Sequence, residues 1–381
     1  MAVYPCPSFL ERNTRLLPQI VVCGGGGSSR SGIANYLAVG GIKRSPDGSL
    51  YFKAMTMEDT EHDLIHQVIP ASNGRFLFCS LNDGTAVYRV LRGDNTDSIK
   101  LERVLFKATE STKDHTQNVV IAKSDDVTLL TGGDEGTVIQ WHFGLKEDSS
   151  DRSCELSEEA RLHVFDRAVT SLTLNPTENY CFAGSESGEI AVIDLKTNGI
   201  IQRIPAPRER CSVQQMLFSS SSTLLVLFTI SGGASFLQLL VPKVEGDLVR
   251  WTVDRERFFK NNTVCRMDVS ADAGVVLLGG NEGEVGALEY PSLKPFMRFA
   301  PAHALPVTSI IHMESNMALA TVQERVEKNK AKTEWMISSS VDYTVSVLPV
   351  KRTAYSINMM SIVFILCVLL MVLYGMHVMR K

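Results

Sequence analysis

A glycine-rich segment near the start of the chain has the composition of an ion-binding or ligand-binding loop. Residues 24–35 read Gly-Gly-Gly-Gly-Ser-Ser-Arg-Ser-Gly-Ile-Ala-Asn and follow a short apolar run. Such a loop offers many backbone carbonyls and has no carboxylate, so it would hold a divalent cation poorly. A ring of carbonyl oxygens suits a monovalent ion such as potassium. The segment therefore indicates a potassium-ordered loop, and a flexible hairpin tip is the alternative.

The residues of this segment do not match either of two common nucleotide-binding motifs. A phosphate loop of the Walker type needs Gly-Lys-Ser/Thr at the start of a helix, and no Lys is present. A dinucleotide fingerprint needs a helix after the glycines, whereas residues 36–39 read as strand. Ile33 is the one large apolar side chain of the loop, and an exposed apolar side chain is a plausible binding anchor.

Other chemistry is weakly indicated. His62 and His66 have the spacing of a helical metal pair but fall in a predicted connection between strands. The eight cysteines are scattered without a C-x-x-C pair, which argues against a zinc site and a disulfide framework and favours a reducing compartment. A net charge of −4 gives no support for nucleic-acid binding. No cofactor other than potassium is predicted.

The elements that must position the loop come from a repeat. Each copy reads as an apolar strand, a pair of small residues, a tight turn ending in Gly, and an alternating strand. Clear copies occupy 77–90, 129–143, 181–195 and 276–290, and degenerate ones 19–40, 224–240 and 336–348. Seven units of about 50 residues predict an all-β fold, a seven-bladed β-propeller over residues 1–350, with an all-β sandwich as the alternative.

The glycine-rich loop breaks this repeat. After Gly132-Gly133 only three residues precede the next strand, but after Gly24-Gly25 ten residues do, Gly26 to Asn35. A seven-residue insertion at one of several equivalent hairpins is a candidate functional loop. Two further stretches, 144–161 and 323–334, are polar and charged, and we interpret both as solvated insertions between strands. The N-terminal residues are expected to complete the last blade.

The C-terminal segment is uniformly apolar. Residues 357–379 carry no formal charge, and about 20 helical residues span a bilayer, so a single transmembrane helix is predicted there. A helix so close to the end emerges only after synthesis. The propeller is therefore expected in the cytosol, joined by a short basic linker (351–356), with residues 380–381 as a lumenal tail.

Trp141 and the pair Ile193-Asp194 stand where WD-repeat proteins carry their Trp-Asp dipeptide, so the units resemble degenerate WD repeats. The loop pattern Gly24-Gly-Gly-Gly-x-x-x-x-Gly-Ile-x-Asn35 resembles that of the prolactin regulatory element-binding protein family. These are endoplasmic-reticulum guanine-nucleotide exchange factors for the Sar-type small GTPase of the COPII coat. Ala302-His303 before Val307 and the terminal membrane helix extend the resemblance along the chain.

This resemblance implies an exchange factor that accelerates GDP release without covalent chemistry. It implies a GTPase-contacting loop at Gly32, Ile33, Ala34 and Asn35, with Ile33 as contact and Asn35 as loop organiser. Potassium would be held by Gly24, Gly25, Gly26, Gly27 and Asn35. The implied partners are the Sar-type GTPase and the endoplasmic reticulum membrane. A catalytically inert, membrane-tethered WD-repeat scaffold is the alternative function.

Overall fold

The fold of the chain is given by a computed structural model. The structure describes residues 1–3, 20–26, 34–93, 98–111, 115–145, 154–219, 222–245, 248–260, 262–313 and 334–351. These residues form strands, turns and connections, and no helix occurs among them.

The strands form seven antiparallel sheets in chain order, six of four strands and one of three. The first three sheets are β1 (Ala2–Val3), β2 (Ile20–Gly24), β3 (Asn35–Arg44), β4 (Leu50–Glu61); β5 (Gln67–Pro70), β6 (Phe76–Ser80), β7 (Gly84–Arg92), β8 (Ile99–Ala108); and β9 (Gln117–Ala122), β10 (Thr128–Gly133), β11 (Thr137–Leu145), β12 (Cys154–His163).

The other four sheets are β13 (Val169–Leu174), β14 (Tyr180–Ser185), β15 (Ile190–Asp194), β16 (Gly199–Ile204); β17 (Cys211–Phe218), β18 (Leu224–Ile230), β19 (Ala234–Glu245), β20 (Leu248–Phe259); β21 (Val264–Ser270), β22 (Val275–Gly280), β23 (Glu284–Glu289), β24 (Pro295–Pro301); and β25 (Val307–His312), β26 (Trp335–Ser340), β27 (Val345–Pro349). The predicted all-β, seven-bladed propeller is confirmed.

Apolar residues place the core between neighbouring blades. The second strand of each blade is buried on both faces, as in β6, whose five residues are all buried. Outer strands such as β12 expose most of their residues. The described residues form seven apolar clusters, each joining two adjacent blades. Phe78 of the second blade, for example, packs edge-on against Phe143 of the third at 5.2 Å between ring centroids. The ring is thus held by side chains packed between sheets.

The turn glycines mark the face that carries the inserted loop. Gly136, Gly188 and Gly283 have φ of +67°, +84° and +83°, which an L side chain rarely adopts. Tyr343 holds the equivalent position of the last blade at φ +64°, without the freedom of glycine. Gly84 differs from the sequence expectation, because it begins β7 and has no positive φ. In an up-and-down blade these turns share one face with the blade-to-blade connections.

The ring does not close as expected. The N-terminal strand β1 pairs with β2 of its own blade, through Ala2 with Val21 and Val3 with Ile20, and the last blade keeps three strands. The expectation that N-terminal residues complete the last blade is therefore wrong for the described residues. Closure is by packing instead: Ile20 of the first blade lies in one core cluster with Ile337 of the last. Burial across the seam replaces backbone hydrogen bonding.

The stretch 144–161 is not simply an insertion. Gly144 belongs to β11, and residues 154–161 form most of β12, an outer strand whose acidic side chains face solvent. Exposed Glu residues alternate with buried Cys154 and Leu156, as expected for a strand with one face toward the core and the other toward solvent. Of the stretch 323–334, only Glu334 lies within the described residues.

The predicted membrane helix at 357–379 lies outside the described residues, among which no helix has the length and apolarity to cross a bilayer. Residues 1–350 cluster as one compact unit and 351–381 as another, of which only Lys351 is described.

Hydrogen bonds between buried side chains join segments within and between blades. Trp141 is buried and its indole donates to Thr131 Oγ1 at 2.8 Å. In the last blade, buried His303 contacts Ser338 Oγ at 2.8 Å and Thr344 Oγ1 at 2.6 Å. Burial lowers the pKa of His303, so the ring is neutral. These bonds tie a connecting segment to the strands of the next blade.

Candidate functional site

The base of the inserted loop is held by a buried amide. β2 ends at Gly24 and β3 begins at Asn35, so the loop leaves and re-enters one antiparallel pair. Asn35 is 1% exposed, and its Nδ2 donates to the backbone carbonyl of Glu61, 3.0 Å away on β4. Because a buried amide left unpaired is costly, this bond fixes the side chain. The location fits the predicted role of Asn35 as a loop organiser.

Gly25 approaches Asn35 too closely for any side chain. A Cβ placed on Gly25 would lie 2.5 Å from Asn35 Cα and 2.7 Å from its Cγ, and still closer to Oδ1. A Cβ on neighbouring Gly24 would meet only the Tyr36 hydroxyl, at 4.0 Å. The two ends of the loop are therefore in contact at Gly25 and Asn35, which is what requires glycine at position 25.

The described part of the predicted potassium site has neutral oxygen donors. The Oδ1 of Asn35 lies against Gly25, beside the backbone of Gly24 and Gly26, and no carboxylate belongs to the loop. This donor chemistry fits a monovalent ion rather than a divalent one. Gly27, Gly32 and Ile33 lie outside the described residues. Ala34, the last residue before β3, is exposed.

An apolar surface, which we call the seam patch, adjoins the loop base where the first and last blades meet. It consists of Tyr36, Met57, Val341 and Tyr343, which line a cavity of about 510 Å³ together with Gly24 and Gly25. Met57 is 63% exposed and Val341 48%. The rings of Tyr36 and Tyr343 are tilted with centroids 6.3 Å apart. Burial, and to a lesser extent the nearby Tyr343 hydroxyl, raises the pKa of Tyr36, so its phenol is neutral at pH 7.

Sequence reasoning missed the seam patch. Its members are far apart in the chain, and only the closure of the ring brings them together. One signal was available: Tyr343 stands where the repeat requires a residue with positive φ. A bulky residue held in that conformation stores about 1–3 kcal/mol of strain, and such strain concentrates at functional sites.

A second polar cluster lies on the same face, between the second and third blades. Glu110, His115 and Glu135 have ligand-type atoms within 4.8 Å of one another. Glu135 accepts hydrogen bonds from Ser111 and His115, and Arg161 lies 3.8 Å from it. Burial raises the pKa of Glu110 to about 7, although the hydrogen bond from the Glu135 backbone N–H partly opposes this shift. The cluster is satisfied internally and links the β8–β9 connection to the β10–β11 turn.

His62 and His66 do not form a metal pair. Both are exposed in the connection between β4 and β5, which is not helical, and His66 Nε2 contacts Asn82 Oδ1. The free cysteines are mostly buried: Cys79, Cys154, Cys181 and Cys211 are buried, and Cys23 and Cys265 partly so. Their interpretation as small core residues is therefore confirmed within the described chain.

Comparison with known proteins supports the fold. No protein-family model matches the chain, and no curated protein matches its sequence. Among solved structures, the WD-repeat propeller Sqt1 from Chaetomium thermophilum is similar, with a TM-score of 0.57 and 14% sequence identity. The match covers 88% of this chain and 80% of that one. At this identity the likeness shows the fold alone: the chain folds as a seven-bladed β-propeller.

Proposed function

We propose that this protein is a guanine-nucleotide exchange factor that activates a Sar-type small GTPase at the endoplasmic reticulum membrane and so starts COPII coat assembly. The observation that carries the proposal is the joined base of the inserted loop, where Gly25 and buried Asn35 meet. A hairpin tip without a function has no need of an organised base. The loop motif and the predicted membrane helix support the proposal further.

In this proposal the loop and the seam patch act together. Ile33 of the loop provides an apolar contact, and Tyr36, Met57, Val341 and Tyr343 extend the contact area toward the last blade. Clusters of aromatic and apolar side chains beside an anchor are typical of the energetic centre of an interface. The GTPase binds across both surfaces in its GDP-bound form, and the contacts displace its switch regions.

Exchange then depends on differential affinity alone. The propeller must bind the nucleotide-free GTPase more tightly than the GDP-bound form, since an equal affinity for both would not shift the equilibrium. GTP, in cellular excess over GDP, reloads the empty site. The C-terminal helix keeps the propeller at the membrane surface, where a membrane-associated GTPase meets it. Potassium, bound by the loop carbonyls and Asn35, reduces the freedom of the tip.

The direct test is GDP release from the GTPase on liposomes that carry the full-length chain. We expect Ile33→Ala to reduce the release rate about fivefold or more, because truncating an apolar anchor commonly costs more than 1 kcal/mol of binding. Its melting temperature should stay unchanged. Asn35→Ala should reduce both, since it removes a buried hydrogen bond worth about 1 kcal/mol.

The matched control is Gln202→Ala. Gln202 also bonds a backbone carbonyl, that of Trp251 at 3.1 Å, but between the outer strands of the fourth and fifth blades. It should cost similar stability and leave release unchanged. If wild type does not accelerate GDP release at all, the protein is not an exchange factor. An inert scaffold would still bind the GTPase or another coat component without changing its nucleotide.

A further inference from the structure

The propeller axis contains a polar channel that Arg266 lines together with the Met1 amino terminus and Glu178. The channel is a cavity of about 610 Å³, lined by the first strands of successive blades and by neutral polar side chains that include Asn118, Thr170 and Gln214. Arg266 lines this cavity, the seam cavity of about 510 Å³ and a third cavity of about 340 Å³. Among the described residues that line the three cavities, it is the only Lys or Arg.

The guanidinium of Arg266 is held in place by neutral groups. Its Nε donates to Thr308 O at 2.8 Å on the neighbouring blade, and its Nη1 to Cys265 O at 2.7 Å. A bulge between Val264 and Arg266 shifts the pairing of β21 with β22, and bulges re-aim side chains. No described residue accepts a hydrogen bond from Nη2. The Nη2 group of this fixed guanidinium is therefore available to a ligand.

The charge of Arg266 has no counter-charge among the described residues. It forms no ion pair with their carboxylates, and burial lowers its pKa from the ordinary value. The guanidinium is half-buried and faces the cavities, so a small anion that enters there would provide the negative charge that the protein does not pair with it. Arg is also the side chain best matched to oxyanions, because its fork donates two parallel hydrogen bonds.

We propose that the central channel is a binding site for one small oxyanion, a carboxylate or a phosphate, with Arg266 as the anion-binding residue. Asn118 and Thr170 line the same space but donate to protein oxygens, Asn118 to Asp134 and Thr170 to Val213, so Arg266 is the donor that remains for the anion. Asp134 and Glu186 line the 340 Å³ cavity with Arg266 and oppose a polyanion at that mouth. The ligand is therefore small and carries one or two negative charges. This site is independent of the proposed exchange function.

The test is thermal unfolding of the full-length protein in detergent, with inorganic phosphate, acetate or chloride at equal ionic strength. A ligand that binds only the folded state raises the melting temperature with its concentration. We expect phosphate or acetate, but not chloride, to raise it for wild type, and the one that does so identifies the preferred oxyanion. Arg266→Gln should abolish the response. Arg266→Lys should bind about tenfold more weakly, since an ammonium lacks the fork.

Arg203→Gln is the matched control. Arg203 also donates to a backbone carbonyl, Val164 O at 2.9 Å, but is exposed and does not line the channel. It should keep the wild-type response. An equal response in Arg266→Gln, or a wild-type response no larger than that to chloride, overturns the proposal. If Arg266→Gln does not fold, equilibrium dialysis of radiolabelled phosphate and acetate against wild type and Arg266→Lys decides. About one ion bound per wild-type chain supports the site, and none removes it.

Discussion

Replacing one of two adjacent glycines should separate a joined loop base from a merely flexible tip. Gly24→Ala places a Cβ in open space, 4.0 Å from the nearest atom, the Tyr36 hydroxyl. Gly25→Ala places it 2.5 Å from Asn35 Cα and 2.7 Å from Asn35 Cγ. Ordinary carbon–carbon contacts are about 3.5–4.0 Å, so the second substitution overlaps Asn35 by about 1 Å. Because one of the opposing atoms is backbone, rotating a side chain does not remove the overlap.

Overpacking of this size costs about 1–3 kcal/mol. Globular proteins unfold with an entropy of about 2.1 cal/mol/K per residue, so for the 350-residue propeller unit 1 kcal/mol corresponds to about 1.4 °C. We therefore expect Gly25→Ala to lower the melting temperature by about 1.4–4 °C. Gly24→Ala should change it by less than about 1 °C. The same pair measured in the GDP-release assay should show a slower rate for Gly25→Ala only.

Differential scanning calorimetry and GDP release from liposome-bound GTPase provide the two readouts. Equal melting temperatures for the two variants would contradict the close approach of Gly25 to Asn35. A lower melting temperature with a normal release rate would confirm the approach but refute the link between the loop base and exchange. A matched loss in both glycine variants would mean that main-chain flexibility, rather than the space at position 25, is what matters.

Three further outcomes are expected. Tyr343→Gly should not lower the melting temperature, since relief of the +64° φ offsets the greater freedom of glycine in the unfolded chain, but it should slow GDP release by removing an aromatic ring of the seam patch. Replacing sodium by potassium should raise the release rate of wild type more than that of Asn35→Ala. Burial raises the pKa of Asp268 to about 6, so its contribution to stability is greatest below the unfolded pKa near 4 and is lost as pH rises through 6. The unfolding free energy of Asp268→Asn relative to wild type, measured by urea denaturation, should therefore grow by at most about 3 kcal/mol between pH 4 and 7.5; a constant difference would contradict the shift.

The strands of this fold could be predicted from the sequence because each blade repeats the same local structural requirements. A buried second strand, a turn with positive φ and an alternating third strand leave a periodic record, and Gly136, Gly188 and Gly283 occupy the predicted turns. The pattern is harder to recognise where a residue other than glycine adopts the required positive φ, as Tyr343 does. Gly84 is the opposite case: it has no positive φ, and glycine is required there because a Cβ would lie too close to Lys107 and Ala108 on β8.

Long-range features were less accessible. The N-terminal strand β1 could pair with the first blade or with the last one. Its pairing with β2 was not predictable from local pattern, because sixteen residues separate the two strands in the sequence. The acidic stretch 154–161 resembles a loop by composition, but its alternation with Cys154 and Leu156 makes it an outer strand. At the site, Asn35 was predicted from a motif, whereas its partner Glu61 on β4 is known only from the register of β3 with β4.

The position of the inserted loop follows from the way the ring closes. Consecutive blades are joined by a chain connection, whereas the described contacts between the first and last blades include no shared backbone ladder, and Ile20 and Ile42 lie in one apolar cluster with Ile337. At such a seam a cavity of about 510 Å³ can persist without breaking a sheet, and the rings of half-buried Tyr36 and exposed Tyr343 border it. The described start of the inserted loop, Gly24 and Gly25, therefore lines the same cavity as this apolar surface. The close approach of Gly25 to Asn35 holds the two ends of the loop together at this place. In the proposed function, the partner would contact the protein at two adjacent places, the inserted loop and the seam patch.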